Sequence, residues 1–184
     1  DPRRTDLSVP ADRITSPARQ AASDLAAIIE AGVRSTLADA GLKKEDIDEV
    51  ILGCVMPGPH EVNIARVVAL RLGCEKHVPA WTVQRNCASG LQAIDSAAQD
   101  IASGRSQLVL AGGTESMSQA PHVVRGARWG SLRLGPAGQH FEDLLWEALL
   151  DTRCDLTMAQ TAEELADRYG VTREEADAVA LRSQ

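Results

Sequence analysis

The stretch Trp81–Leu91, WTVQRNCASGL, decides the fold class because it joins a predicted strand to a predicted helix. Trp81–Val83 is a short run of aromatic and β-branched residues, which is typical of a buried strand. From Ala88 onward, apolar residues return at helical spacing and predict one apolar helix face, formed by Leu91, Ile94, Ala98 and Ile101. Cys87 therefore lies at a predicted strand-to-helix turn.

Cys87 is the candidate nucleophile of this turn. The first N–H groups of a helix have no intrahelical partner, and together with the helix dipole they favour the nucleophilic thiolate. The small residues 88–90 would let a backbone or an acyl chain approach closely. The arrangement is similar to a nucleophile elbow. The alternative is structural, because a free cysteine among small residues commonly fills space in a core.

The remaining sequence predicts an alternation of helices and strands. Helices are expected over Ala18–Ala40 and Asn63–Leu72, and strands over Glu49–Cys54 and Leu108–Ala111. This order is typical of an α/β layer with a largely parallel sheet. Gly112-Gly113 is not a G-x-G-x-x-G motif and lacks the acidic residue expected about 20 positions later, which argues against dinucleotide binding.

Composition narrows the function class. The 184 residues are 44% hydrophobic and carry a formal net charge of −7, which suits a globular domain and argues against a nucleic-acid surface. No apolar run is long enough to span a bilayer, and no segment has signal-peptide form. The four cysteines have no metal-ligand spacing, so we expect no metal and a reducing, cytoplasmic location.

Two sequence blocks resemble the thiolase family. They are N-C-A-S-G-L-Q-A-I from Asn86 and L-V-L-A-G-G-T-E-S-M-S from Leu108, in the order and at the separation typical of that family. M-A-Q-T-A-E from Met158 and R-E-E-A-D from Arg173 are also similar to thiolase segments. The resemblance covers about the first half of a family member. It implies an incomplete thiolase-like α/β fold, a mixed but mostly parallel sheet layered with helices.

The resemblance also implies a domain organisation and a site. Residues 1–117 would be the N-terminal core without its first and last strands, and residues 118–184 a truncated loop domain covering the active site. Cys87 would be the nucleophile and its backbone N–H an oxyanion donor. Met158 would face the acyl pocket. Short-chain thiolases usually carry histidine at the position of Thr157, so Thr157 favours longer or undetermined acyl chains. Coenzyme A would be a substrate, and no resident cofactor is implied.

Part of the family's catalytic machinery does not occur in this sequence. In thiolases the activating histidine lies in G-H-P-x-G and the second catalytic cysteine in C-x-G-G-G, and both motifs belong to the C-terminal half. The histidines present are expected to be surface or loop residues: His60, His77, His122 and His140. Three further cysteines are expected to pack in the interior: Cys54, Cys74 and Cys154.

The resemblance predicts an acyltransferase of fatty acid metabolism, including β-oxidation. It would cleave or form 3-ketoacyl-CoA through an acyl-enzyme on Cys87. One alternative is a ketoacyl synthase of lipid or polyketide assembly, and another is an inactive thiolase-like subunit with a structural role. Expected partners are acyl-CoA, a second copy in a homodimer or homotetramer, and a β-oxidation complex. Asn63 and Arg66 fall in a motif typical of thiolase subunit contacts, so we expect structural roles for them.

Overall fold

The computed structural model describes residues 17–130 and 141–184. The chain divides into two compact units, the first ending at Gln119 and the second beginning at Ala120. Residues 1–17 contain three prolines and no helical periodicity, which predicts an irregular segment. Residues 1–16 of that segment lie outside the described residues, and Pro17 begins a helix. No helix within the described ranges is long and apolar enough to cross a membrane.

A three-stranded parallel sheet forms the centre of the first unit. Its strands are β1 (Glu49–Gly53), β2 (Ala80–Val83) and β3 (Val109–Gly113), in the spatial order β2-β1-β3. Ile51 at the middle of β1 aligns with Trp81 of β2 and Ala111 of β3. All five residues of β1 are buried, whereas β2 is half-buried throughout. The predicted parallel α/β arrangement is therefore confirmed.

Three helices cover the two faces of this sheet: α1 (Pro17–Asp39), α2 (Ile64–Leu72) and α3 (Ser89–Ala102). Side chains of a strand alternate between faces, and β1 follows this rule. Val50 and Leu52 pack in the cluster that includes α2 and the inner residues of α1, which are Ile29, Val33 and Leu37. Ile51 points to the other face and packs with Ala93 and Ala97 of α3.

Helix α2 is fixed to the sheet by two polar side chains. The Asn63 carboxamide caps α2 by accepting the Arg66 N–H at 3.2 Å, and it donates to the Ala80 carbonyl at 3.0 Å. The Arg66 guanidinium donates to the Val78 carbonyl at 2.8 Å. Gly73 ends α2 with a φ of 79°, a left-handed conformation that glycine adopts without strain. Both polar side chains thus have structural roles within this chain.

The predicted apolar face of α3 does not form its contact with the sheet. The helix itself is confirmed, but Leu91, Ile94 and Ile101 are 70%, 55% and 46% exposed. The buried apolar residues of α3 are Ala93 and Ala97. Small side chains allow a closer approach to the strands than Leu or Ile would allow, so the small-residue face meets the sheet.

The part of the second unit that the structure describes contains short strands and three α-helices. Strands β4 (His122–Val123) and β5 (Glu142–Asp143) pair antiparallel, as do β6 (Leu150–Asp151) and β7 (Leu156–Thr157). The helices are α4 (Leu144–Glu147), α5 (Met158–Tyr169) and α6 (Arg173–Ser183). Thr157 and Thr172 begin α5 and α6 with capping boxes, as the T-R-E-E sequence predicts for the second of them. Gly170 ends α5 with a φ of 66°.

Candidate active site

The candidate site lies where the three parallel strands end. Because the strands are parallel, the segments that follow Gly53, Val83 and Gly113 all leave the sheet at the same edge. Cys87 follows β2 and Glu115 follows β3. In open parallel sheets, this edge is where ligands bind. The topology therefore brings the predicted nucleophile to the edge suited to chemistry.

The turn before α3 is held by a compact set of hydrogen bonds. Asn86 has a φ of 47°, in the left-handed region that asparagine adopts more readily than most residues. The Ala88 N–H donates to the Arg85 carbonyl at 3.1 Å. The buried Ser89 hydroxyl accepts the Arg85 N–H at 2.8 Å and donates to the Asn86 carbonyl at 2.6 Å. These contacts fix the backbone on both sides of Cys87.

Cys87 itself is exposed, two residues before the first residue of α3. Within the described residues, Cys87 therefore does not belong to either buried cluster of the first unit. Ala88 occupies the N-cap position and makes no side-chain cap. Backbone carbonyls instead accept from this start: the Ser89 N–H donates to the Asn86 carbonyl at 3.0 Å, and the Gln92 N–H donates to the Ala88 carbonyl at 2.8 Å.

Three glycines bring the first turn of α3 into direct contact with the sheet. A Cβ atom at position 53 would lie only 2.4 Å from the Ser89 carbonyl carbon and 2.5 Å from the Gly90 nitrogen. A Cβ atom at position 113 would lie 3.2 Å from the Gly90 Cα. Only glycine permits this backbone approach at Gly53. The ends of β1 and β3 thus locate the helix that follows Cys87.

The Glu115 carboxylate connects the segments that follow β1 and β3. It accepts the Val55 N–H at 2.7 Å through Oε2 and the Met56 N–H at 3.0 Å through Oε1. The Cys54 thiol donates to Oε1 at 3.6 Å. The Thr114 N–H also donates to the Gly53 carbonyl at 2.9 Å. One carboxylate therefore holds three consecutive residues beyond β1 against the end of β3.

The remaining cysteines differ in their environments. Cys54 and Cys74 are buried, as expected, whereas Cys154 is exposed, so the prediction that it packs in the interior is wrong. Burial, with a smaller contribution from the Glu115 charge, raises the pKa of the Cys54 thiol to about 12. Burial also raises the pKa of Cys74, and the Lys44 charge opposes this effect. Both buried thiols are therefore poor nucleophiles near neutral pH.

The described histidines are all exposed: His60, His77 and His122. His122 faces Asp143 at 3.8 Å within the second unit. His60 lines a pocket of about 70 Å³ whose lining does not include Cys87. His140 lies outside the described residues. The described parts of the chain hold no group of three or more side chains suited to binding a metal ion.

The two predicted substrate-binding residues lie at the start of α5 in the second unit. The Thr157 hydroxyl accepts the Gln160 N–H at 3.3 Å and so caps this helix. Met158 is the first residue of α5 and is 47% exposed. Thr157 thus has a structural role of its own, and the described contacts neither add nor remove a role in substrate binding.

The comparisons with known proteins agree with this arrangement. The thiolase N-terminal domain family matches residues 11–184. The chain belongs to the thiolase family. The acetyl-CoA acetyltransferase of Syntrophomonas wolfei is 43% identical over 145 residues, which are 79% of this chain and 37% of that protein. The mitochondrial 3-ketoacyl-CoA thiolase of Bos taurus is 44% identical over 156 residues, which are 84% of this chain and 39% of that protein.

Solved thiolase structures have the same fold. The human mitochondrial 3-ketoacyl-CoA thiolase in complex with CoA matches with a TM-score of 0.79 at 42% identity, over 88% of this chain and 40% of that chain. The acetyl-CoA acetyltransferase of Bacillus anthracis matches with a TM-score of 0.74 at 42% identity, over 82% of this chain and 37% of that chain. The thiolase-like fold class is therefore confirmed. The chain spans about two fifths of the length of the curated relatives it matches.

Sequence reasoning missed several residues that shape the site. Gly53 and Ser89 support the turn around Cys87, and Glu115 fixes the neighbouring segments. One sequence signal was available for the backbone: an asparagine directly before the candidate nucleophile is suited to a left-handed conformation. The partners of Glu115 lie 59 to 61 positions away, so no local pattern could indicate them.

Proposed function

We propose that the full-length protein transfers acyl groups between coenzyme A thioesters through an acyl-enzyme on Cys87. The observation that carries this proposal is the position of Cys87, exposed on a rigid strand-to-helix turn at the carboxyl edge of a parallel sheet. An accessible thiol at a helix start is suited to nucleophilic attack. Membership in the thiolase family supports the same chemistry.

In the thiolytic direction, the Cys87 thiolate attacks the β-keto carbon of a 3-ketoacyl-CoA. The bond between the α- and β-carbons then breaks, and the acetyl-CoA that leaves takes a proton at its α-carbon. The shortened acyl group remains on the Cys87 sulfur as a thioester until the thiol of a second coenzyme A accepts it. Condensation is the reverse sequence. The backbone N–H of Cys87 is the donor that we assign to the oxyanion of both steps.

The proton transfers need an acid/base in addition to the Cys87 thiol. Family resemblance assigns this role to a histidine and a second cysteine of the C-terminal half, whose motifs do not occur in these 184 residues. In our proposal, Cys87 supplies the nucleophile and that half supplies the proton chemistry. Coenzyme A is then a substrate, with no resident cofactor or metal.

The finer assignments rest on the resemblance alone. We propose that Met158 faces the acyl pocket, and that Thr157 favours longer or undetermined acyl chains. We further propose a cytoplasmic homodimer or homotetramer that serves β-oxidation. The relatives include mitochondrial 3-ketoacyl-CoA thiolases, which supports a role in fatty acid degradation without fixing the compartment.

The test is to trap the acyl-enzyme. The full-length protein is mixed with acetoacetyl-CoA without free coenzyme A, quenched in acid, digested, and analysed by mass spectrometry for acetyl groups on each cysteine. We expect acetylation of Cys87 and not of Cys154, which is equally a free exposed thiol and serves as the internal control. Cys87→Ala should abolish both the adduct and thiolysis, with the circular dichroism spectrum unchanged.

A different result would select one of the alternatives. Thiolysis that survives in Cys87→Ala would refute the assignment of the nucleophile. A protein that forms no adduct and turns over neither acetoacetyl-CoA nor a longer 3-ketoacyl-CoA, and whose assembly does not depend on Cys87, would be the structural subunit considered above. Equal labelling of Cys87 and Cys154 would mean only that both thiols are accessible.

A further inference from the structure

We propose that Glu115 is a positioning residue for Cys87, acting by locking the ends of β1 and β3 around the first turn of α3. The inference rests on the acyl-transfer function proposed above. It adds a residue outside the elbow and outside α3, and the contacts that carry it form a continuous path from the carboxylate to the nucleophile.

The first part of the path is the carboxylate itself. Both of its oxygens accept backbone N–H groups, from Val55 at 2.7 Å and from Met56 at 3.0 Å. Hydrogen bonds between N–H donors and an ionised carboxylate are short and stronger than neutral ones. Two such bonds to successive residues fix the direction in which the chain leaves β1. Glu115 therefore determines the position of the segment that begins directly after Gly53.

The second part of the path is the contact between the sheet and α3. Gly53 lies directly against the Ser89 and Gly90 backbone, and Gly113 lies against the Gly90 Cα. Gly53 and Gly113 are register partners in neighbouring strands, and the Thr114 N–H bonds to the Gly53 carbonyl at 2.9 Å. A change at the end of either strand is therefore transmitted to the first turn of α3.

The last part of the path runs through Ser89. Its hydroxyl binds the Arg85 N–H and the Asn86 carbonyl, which lie directly before Cys87. A shift of Ser89 consequently moves the turn that presents the sulfur. Displacements of about 1 Å at a reacting group can cost on the order of 100-fold in rate. A carboxylate that never touches substrate can therefore control the rate at which Cys87 reacts.

The experiment compares Glu115→Gln with Glu75→Gln in the full-length protein. The amide has one acceptor oxygen, and its NH₂ group opposes the second N–H donor, so the paired contact is lost with little change of shape. Glu75 is exposed, and its substitution makes the same change in charge. Acylation of Cys87 by acetoacetyl-CoA is measured together with kcat and KM for thiolysis.

Iodoacetamide labelling of two buried cysteines reports where the variant has changed. Cys54 lies beside Glu115 and is 5% exposed, and loss of the Glu115 charge by itself raises its thiolate fraction. Opening of the segment after β1 is therefore scored as faster labelling by a bulky iodoacetamide derivative relative to iodoacetamide, because this ratio does not depend on the thiolate fraction. Cys74 belongs to the cluster around α2 and is 7% exposed, so its labelling reports loss of the core. For Glu115→Gln we expect a higher ratio of bulky to unsubstituted iodoacetamide labelling at Cys54, unchanged protection of Cys74, and acylation and kcat reduced about tenfold with KM unchanged. Glu75→Gln should match the parent in every measurement.

The proposal is overturned if Cys54 opens while Cys87 is acylated at the parent's rate, because Glu115 would then hold only its own loop. If Glu115→Gln exposes Cys74, the same measurements are made on Glu115→Asp, which keeps the carboxylate charge on a side chain shorter by one methylene. A folded Asp variant should be acylated at a rate below the parent, and a rate equal to the parent's overturns the proposal. Exposure of Cys74 in both variants also overturns it, since Glu115 would then support the whole core. Failure of the parent to acylate Cys87 refutes the proposed function, and this inference with it.

Discussion

Replacing Gly53 with alanine tests how the sheet locates the nucleophile. The new Cβ would lie 2.4 Å from the Ser89 carbonyl carbon and 2.5 Å from both the Ser89 oxygen and the Gly90 nitrogen. All three atoms are backbone, so no flexible side chain can move aside. Restoring an ordinary 3.4 Å contact requires the start of α3 to retreat by about 1 Å.

Neighbouring glycines give a graded series for this prediction. A Cβ at Gly113 would lie 3.2 Å from the Gly90 Cα, which needs a shift of only a few tenths of an ångström. A Cβ at Gly112 would lie 3.6 Å from Leu52 Cδ2, an ordinary contact on the other face of the same strand. We expect Gly53→Ala to lower the free energy of unfolding by about 1–3 kcal/mol or more, and Gly113→Ala by less. Gly112→Ala should be neutral or stabilising by up to about 1 kcal/mol.

Urea unfolding measures the three free energies, with a constant m-value as the check that the denatured state is unchanged. The acylation rate of Cys87, measured on folded protein, should fall in the same order as the free energies. Equal losses in Gly53→Ala and Gly112→Ala would refute the close approach. A large loss of stability in Gly53→Ala with an unchanged acylation rate would separate stability from positioning and refute the connection between the sheet and Cys87.

Substitutions at three further positions test other parts of the first unit. Asn86→Gly should retain the turn. Asn86→Val should have an unfolding free energy about 1–2 kcal/mol below that of Asn86→Gly, because the φ of 47° disfavours a β-branched residue. Equal urea midpoints for the two variants would contradict this. The free energy of unfolding should fall as pH rises from about 9 to about 12, because the folded protein holds the Cys54 proton more tightly than the unfolded chain does. Urea titrations of Cys54→Ala across this range should show a smaller fall. A fall identical to the parent's would contradict the raised pKa of Cys54. Trp81→Phe should lower the free energy of unfolding by about 1.5–3 kcal/mol, because the indole N–H donates to the buried Glu49 carboxylate at 2.7 Å. An unfolding free energy equal to the parent's would show that this hydrogen bond contributes nothing.

The elements of the first unit were predictable because their signals are local. Apolar residues four positions apart predicted α1, and its inner side chains pack on the core as that spacing requires. Asn63 and Gly73 marked the two ends of α2. The alternation of helices and strands then predicted a parallel sheet. Each of these inferences needs only a few consecutive residues and the geometry of one element.

The internal geometry of the site could not be predicted in this way. Gly53 reads as an ordinary strand residue until its position against Ser89 is known. Glu115 lies in a recognisable thiolase block, but its bonds to Val55 and Met56 connect segments about 60 positions apart. Such contacts depend on which strands are neighbours and in what register. The order β2-β1-β3 fixes both, and no single segment encodes it.

The residues on the two faces of α3 explain how Cys87 is located. The apolar face predicted from the sequence carries Leu91, Ile94 and Ile101 and is exposed within the described residues. The sheet contacts the other side of the helix, at Ala93 and Ala97. Large side chains on the sheet-facing side would lift the helix from the strands and carry its first turn away from the carboxyl edge. Small side chains instead hold α3 close enough for its first-turn backbone to rest on the glycines that end β1 and β3. The position of Cys87 therefore depends on the spacing of the small residues of α3 and not on the spacing of its large apolar residues.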